Sequence, residues 1–198
     1  MEIENNKEQV PFEHYQREFA KLDLEEIRER LPGISFENGS FAVKMLGKTY
    51  YIAYPDGVVT PECVLPVQTF LLRYLIESRD IPWGGNFLTF REMPWGELYI
   101  KPYTGRVLTR AAFTFGTRLA AFEAACRKLG ATKVNHGDAG FVFDLIGNYR
   151  MQILVWAGDE EFPPNAQVLY SDNFREGFAP EDRVVAGDIL ISTIKANM

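Results

Sequence analysis

Apolar residues recur at helical spacing in several segments of this chain, and these segments predict its helices. Pro66 precedes an apolar stripe at positions i, i+3, i+4, i+7 and i+8, which is the pattern of a helix that covers a sheet. Asp23, with Glu26 three residues later, resembles a capping box at the start of a short helix. A longer stripe ends before Gly130, a common helix stop, and includes Cys126, which we interpret as a core residue. The predicted helices comprise residues 8–22, 23–31, 66–75, 106–129 and 180–195.

Short apolar runs separated by turn residues predict antiparallel strands. Asn38-Gly39 and Gly47-Lys48 separate three such runs, so we expect a meander of three strands. Gly147-Asn148 predicts a hairpin, and Pro94-Trp95-Gly96 predicts another. A tight turn at Gly147-Asn148 would place Asp144 on an apolar face, where a carboxylate needs a partner. The predicted strands comprise residues 34–37, 40–45, 49–54, 87–93, 97–101, 141–146, 149–156 and 167–170.

These elements predict an α+β fold, in which an antiparallel sheet of hairpins and a meander packs against helices. We expect a single domain over residues 1–198, with the N-terminal helices at residues 8–31 as an appendage. With 46% hydrophobic and 24% charged residues, a chain of this length can bury a sizeable core.

Composition and charge exclude several classes of protein. A net charge of −6 opposes general nucleic-acid binding, which needs a surplus of Lys and Arg. Cys63 and Cys126 form no C-x-x-C pair, so a disulfide framework and a four-thiolate metal site are excluded. The polar start Met1–Asn6 predicts no secretory or transit peptide, and no apolar run is long enough to span a bilayer. We expect a cytoplasmic protein with neither a membrane nor a nucleic acid as partner.

Charge is distributed unevenly along the chain. Residues 101–128 hold six Lys and Arg against one acid, whereas residues 156–182 hold seven acids against one Arg. Two solvated faces of opposite charge explain this pattern. An anion-binding site, or an acidic partner for the basic segment, explains it as well.

Few residues have the type and spacing of known catalytic motifs. The phosphate-binding, dinucleotide-binding, nucleophile-elbow and His-Glu-x-x-His motifs do not occur. In Asn135-His136-Gly137-Asp138, a loop and a nearby carboxylate can orient an imidazole for acid–base work or metal binding, but a polar turn explains the same residues. Asp159-Glu160-Glu161 can bind Mg²⁺ or Ca²⁺ only if a turn makes the acids converge, and solvated acids are the alternative. We therefore assign no metal and no cofactor.

The segment between Phe87 and Lys101 carries most of the residues that we assign to a binding site. In a strand, Arg91 and Glu92 point to opposite faces, so each is a charge beside apolar neighbours. Such charges indicate either a structural ion pair or a site that faces a ligand. The candidate binding residues are Arg91, Glu92, Trp95, Tyr99, His136 and Asp138.

Two groups of short motifs carry a family resemblance, namely Phe90–Gly96 preceded by Pro82 and Gly85, and Asp159–Pro163 followed by Leu169-Tyr170 and Asp172. On these residues the chain resembles a bacterial family, domain of unknown function 3786, over about residues 41–198. The family usually shows Leu-Pro-Gly-Gly where this chain has Met93-Pro94-Trp95-Gly96, so no role that needs a bare backbone is expected at Trp95.

The resemblance implies a family found largely in anaerobic bacteria, in which some members carry an iron–sulfur module like that of corrinoid proteins. The two cysteines of this chain cannot ligate such a cluster. We expect a small-molecule-binding or accessory domain in anaerobic redox or one-carbon metabolism. Its expected partner is a small anionic ligand or a redox, corrinoid or iron–sulfur protein. The alternatives are a hydrolase or lyase that uses carboxylates and His136, with or without a divalent cation, and a purely structural partner-binding role.

Overall fold

The structure is a computed structural model that describes residues 6–198. Residues 1–5, which carry most of the polar start from which we predict no leader peptide, lie outside the described residues. The chain divides into two compact units, unit 1 up to Asp80 and unit 2 from Ile81 to Met198. Each unit combines helices with antiparallel strands, so the predicted α+β class is confirmed. The boundary of a single domain over residues 1–198 stays a prediction.

Unit 1 contains the predicted meander and three helices. Asn38 and Gly39 have φ of 52° and 74°, and Leu46 and Gly47 have φ of 46° and 81°, which is the geometry of two-residue hairpin turns. The second turn therefore uses Leu46-Gly47 rather than Gly47-Lys48. Strand β2 pairs with β1 and β3, and β3 pairs with β4. The elements are α1 Asn6–Phe19, α2 Leu24–Arg30, β1 Ser35–Glu37, β2 Ser40–Met45, β3 Lys48–Ala53, β4 Val59–Thr60 and α3 Leu65–Glu77.

Side chains of the N-terminal helices are part of the packing of unit 1. Phe19 is fully buried, and its ring lies 6.1 Å from that of Phe41. Asp23 caps α2 by accepting a hydrogen bond from the Glu25 backbone N–H at 2.8 Å. Arg30 donates hydrogen bonds to the carbonyls of Leu75 and Ser78, which satisfies acceptors that the end of α3 leaves free.

The antiparallel strands of unit 2 pair in the order β6–β7–β8–β9–β5. One face of this sheet is buried against helices: the Phe141 ring lies 5.7 Å from that of Phe122, and the Tyr170 hydroxyl donates to the Arg183 carbonyl at 2.8 Å. The elements are β5 Phe87–Thr89, a 3-10 turn Phe90–Glu92, α4 Gly96–Tyr103, a π-helical segment Thr104–Thr109, α5 Arg110–Phe115, α6 Leu119–Lys128, β6 Thr132–Val134, β7 Ala139–Ile146, β8 Tyr149–Trp156, β9 Asn165–Ser171, α7 Phe174–Gly177 and α8 Pro180–Lys195.

The predicted hairpin around Pro94-Trp95-Gly96 is wrong. Strand β5 ends at Thr89, where a capping box with Glu92 begins the 3-10 turn, and α4 starts at Gly96. The Thr-x-x-Glu pattern of residues 89–92 is a known start signal of helices, and here it prevails over the apolar alternation. The argument that Arg91 and Glu92 point to opposite faces of a strand therefore does not hold.

The predicted long helix over residues 106–129 is also wrong in its bounds. Helical structure begins ten residues earlier, at Gly96, and the chain breaks between α5 and α6 at Gly116–Arg118. A Cβ on Gly116 would lie 2.4 Å from the Cβ of Pro164, so this close approach requires glycine. Cys126 is fully buried in α6, and burial raises its thiol pKa to about 12, which confirms it as a core residue. In the part of the chain that the structure describes, no helix is long and apolar enough to cross a membrane.

Candidate functional site

The second face of the unit 2 sheet carries a row of polar side chains. Gly147-Asn148 forms the predicted hairpin turn, but the register shifts between Asp144 and Ile146, so Asp144 lies opposite Arg150. This bulge turns Asp144 away from the apolar face on which the sequence pattern places it. Gln152 lies two residues beyond Arg150 on β8 and shares its face.

Arg150 is held by a carboxylate on one side and an indole ring on the other. Its Nε donates to Asp144 Oδ1 at 2.8 Å. Its guanidinium carbon lies 4.5 Å from the centre of the Trp83 ring, a cation–π contact. Within the described residues, neither Nη group makes a hydrogen bond. These two contacts orient the guanidinium, and its outer N–H edge stays available.

The loop that carries Trp83 is wrapped around a single carboxylate, Asp172. The backbone N–H of Gly84 donates to Asp172 Oδ1 at 2.9 Å, and Asn86 donates to Oδ2 from its backbone at 3.2 Å and from its side chain at 3.3 Å. Burial raises the pKa of Asp172, but the hydrogen bonds from Gly84, Asn86 and Asn173 outweigh this effect and hold the pKa below its usual value. The glycine-dense Trp83–Gly85 stretch thus presents backbone N–H to an anion, and that anion belongs to the protein.

The two neighbours of Asp172 tie the same loop to β8. Ser171 accepts a hydrogen bond from the Arg150 backbone N–H at 2.9 Å and donates to Asn173 Oδ1 at 2.6 Å. Asn173 donates from its side chain to the carbonyls of Ile81 and Asn148 at 2.8 and 3.1 Å. Three consecutive residues therefore position Trp83 and Arg150 together.

These residues border a pocket of about 560 Å³ on the sheet face. Its volume is in the range of pockets that bind small molecules. Gln152 is only 7% exposed although it is polar, whereas His136 is exposed at the rim. The pocket is lined by Trp83, Phe87, Gly130, Thr132, Val134, Asn135, His136, Val142, Asp144, Arg150 and Gln152.

Of the six predicted binding residues, one lines this pocket, namely His136. Asp138 lies in the same loop, where its Oδ2 accepts a hydrogen bond from the Ala157 backbone N–H at 2.8 Å and fastens the end of β8. Arg91 forms an exposed ion pair with Glu97, with Nε and Oε1 3.1 Å apart. Tyr99 is half-buried on α4.

Glu92 has a structural position in the capping box. Its Oε2 accepts hydrogen bonds from the backbone N–H and the hydroxyl of Thr89, both at 2.7 Å. These two hydrogen bonds lower the pKa of Glu92. Binding roles for Arg91, Glu92, Trp95 and Tyr99 stay predictions.

Charged side chains of the basic segment 101–128 and the acidic segment 156–182 form ion pairs and hydrogen bonds inside unit 2. Arg106 and Arg110, both from the basic segment, form ion pairs with Asp188 of α8. In the acidic run, Asp159 accepts hydrogen bonds from the backbone N–H groups of Glu161 and Phe162, which lower its pKa. Among the residues that the structure describes, no group of three or more His, Cys, Asp or Glu is placed to hold a metal ion.

The main residues of the pocket were not among those predicted from the sequence. Arg150 and Gln152 do carry a signal, because they are the polar positions of an otherwise apolar strand and alternate with Tyr149, Met151 and Ile153. Trp83 carries no comparable signal, since its contact with Arg150 depends on a residue 67 positions away in the chain.

Comparison with protein-family models matches residues 23–193 to Domain of unknown function (DUF3786). No curated protein and no solved structure matches the chain. The match begins at Asp23, earlier than the expected Phe41, and so includes α2 and β1.

Trp95 has an unusual backbone conformation. Trp95 has φ of 64° and ψ of 5°, a left-handed conformation that glycine adopts readily and that other residues adopt at a cost. The next residue, Gly96, has no room for a side chain, since a Cβ there would lie 2.1 Å from the Phe90 carbonyl oxygen. The backbone therefore favours glycine at both positions 95 and 96. With most of its length matched, the chain belongs to the DUF3786 family.

Proposed function

We propose that this chain is a binding domain for a small anionic molecule, which Arg150 holds in the pocket on the unit 2 sheet. The observation that carries the proposal is that the Arg150 guanidinium has unused hydrogen-bond donors. It contacts Trp83 and Asp144, yet both of its Nη groups remain without a partner among the described residues. A guanidinium presents parallel N–H donors that match a carboxylate or phosphate in bidentate fashion.

Asp144 leaves room for such an anion. Its side chain is 81% exposed and engages only the Nε of Arg150. Exposed ion pairs contribute about 0–1 kcal/mol, so an incoming anion can share the guanidinium or displace Asp144 at little cost. Phe87 and Val142 add apolar surface for the uncharged part of a bound molecule.

The hydrolase or lyase alternative has less support than binding. Convergence of Glu92, His136 and one acid from Asp159–Glu161 in one pocket would favour it, and none of those acids lines the pocket at His136. Glu92 and Asp159 accept hydrogen bonds from neighbouring backbone groups instead. An accessory role beside a redox or one-carbon partner stays a prediction of the family resemblance.

Titration of the full chain with benzoate tests the proposal, since benzoate combines a carboxylate with an apolar ring. We expect Arg150→Gln to weaken benzoate binding at least about tenfold, because a charge-assisted bidentate contact is lost. The matched control is Arg91→Gln, which removes the same charge from an exposed ion pair of unit 2. Circular dichroism confirms that each variant is folded.

The two arginine variants also separate the two candidate sites. If Arg91→Gln abolishes benzoate binding while Arg150→Gln leaves it unchanged, the site predicted from the sequence is correct and the pocket is not. If wild-type protein binds no benzoate at all, the proposed anion site fails.

A further inference from the structure

Gln152 lines the pocket, and the residues opposite it on the two neighbouring strands have apolar side chains. On β8 it lies opposite Val142 of β7 and opposite Leu169 of β9. Neither of these side chains can donate or accept a hydrogen bond. Along its own face of β8 the next residues are Arg150, which is engaged by Asp144 and Trp83, and Leu154.

Within the described part of the chain, the Gln152 amide therefore makes no hydrogen bond, and its polar atoms are open to the pocket rather than sealed inside the protein. Its residue is only 7% exposed and lines the pocket. By contrast, the buried polar residues Ser171 and Asn173, which are 0% and 4% exposed, both form hydrogen bonds inside the protein. An amide that has no partner inside the protein and opens into a pocket keeps its donor and its acceptor available for a bound molecule.

We infer that the molecule bound in this pocket carries two different polar ends, an anionic group at Arg150 and an uncharged amide-like group at Gln152. This inference rests on the proposed anion site. The two side chains stand on one face of β8 and their Cα atoms are about 7 Å apart, the length of two strand residues. A flat or apolar body between the two ends would lie over Val142.

The chemistry of glutamine selects the class of the second group. The side chain presents a carbonyl acceptor and an NH₂ donor side by side. A second carboxylate would pair with the NH₂ but repel the carbonyl oxygen, and an alkyl group would leave both unpaired. An amide, lactam or urea-type group offers one donor and one acceptor and satisfies both.

Two probes of matched shape test this inference on the full chain. 4-Carbamoylbenzoate has a carboxylate at one end and a primary amide at the other. 4-Isopropylbenzoate replaces the amide by an apolar group of similar size. We expect wild-type protein to bind 4-carbamoylbenzoate about tenfold more tightly, which is the effect of one to two net hydrogen bonds. Gln152→Met, which keeps the length of the side chain and removes its amide, should abolish this preference without weakening the binding of 4-isopropylbenzoate.

The outcomes distinguish this inference from the proposal on which it rests. If both probes bind with equal affinity, or the apolar probe binds more tightly, and both require Arg150, the anion site stands and the role of Gln152 is refuted. If neither probe binds, or both bind independently of Arg150, the anion site itself is refuted. The comparison of probes on wild-type protein decides the question even if Gln152→Met does not fold.

Discussion

Replacement of Asp172 by alanine removes the carboxylate around which the Trp83 loop is built. Three hydrogen bonds from this loop are lost, one from Gly84 at 2.9 Å and two from Asn86 at 3.2 and 3.3 Å. A hydrogen bond contributes about 0.5–1.5 kcal/mol net, and the two longer ones belong at the lower end of that range. We therefore expect the loop to lose about 2 kcal/mol of local stability.

Amide hydrogen exchange measures this loss where it occurs. A change of about 2 kcal/mol corresponds to a roughly thirtyfold larger opening equilibrium, so the backbone amides of Gly84 and Asn86 should exchange about thirty times faster. Glu176→Ala is the matched control, because it removes one negative charge from an exposed side chain of neighbouring α7. Asp172→Ala should also weaken benzoate binding, since Trp83 would no longer hold Arg150.

The pH dependence of the same measurement has a defined sign. The pKa of Asp172 is lowered in the folded protein, so its contribution is complete above the usual aspartate pKa of about 4 and is lost as the pH falls through the lowered value. The difference between wild-type protein and Asp172→Ala should therefore shrink at low pH. Unchanged protection of both amides in a folded Asp172→Ala variant would refute the view that this carboxylate organises the loop.

Three further predictions concern unit 2. Gly96→Ala should lower the free energy of unfolding, measured in urea, by about 3 kcal/mol, because the added Cβ would overlap the backbone. The control Gly105→Ala should not lower it, since a Cβ there has nothing within 4 Å. Equal effects of the two substitutions would contradict this explanation. Asp144→Asn should strengthen benzoate binding up to about fivefold in a titration, because a competitor for Arg150 is neutralised, and weaker binding would count against that competition. The backbone amide of Thr89, which donates to Glu92, should be protected from exchange above the usual glutamate pKa. It should lose this protection as the pH falls through the lowered pKa of Glu92, and pH-independent protection would exclude the cap.

Local chemistry made much of the fold predictable. Asn38-Gly39 and Gly147-Asn148 identified hairpins because such residues accept the positive φ that a two-residue turn demands. Pro180 marked the first residue of α8, since proline fits the first turn of a helix. The apolar residues that follow it bury the helix against the rest of the unit. These signals lie within a few residues of the structure that they specify.

The errors arose where two local signals competed. Residues 87–93 alternate like a strand, yet they contain the Thr89-x-x-Glu92 pattern of a helix start. A second limit lies in distant contacts: Gly116, at the break between α5 and α6, must be glycine because Pro164 occupies the space that a side chain would need. No periodicity within the segment reports that contact.

The sequence by itself determined the α+β class, the family, most of the turns and the burial of Cys126. The pocket was decided by tertiary structure. Arg150 faces Asp144 only because a bulge shifts the register, and Trp83 reaches Arg150 only because Asp172, 88 residues after Gly84, anchors the loop between them. Hydrogen bonds across such separations depend on the whole sheet being formed, and a sequence pattern read over a few residues does not contain them.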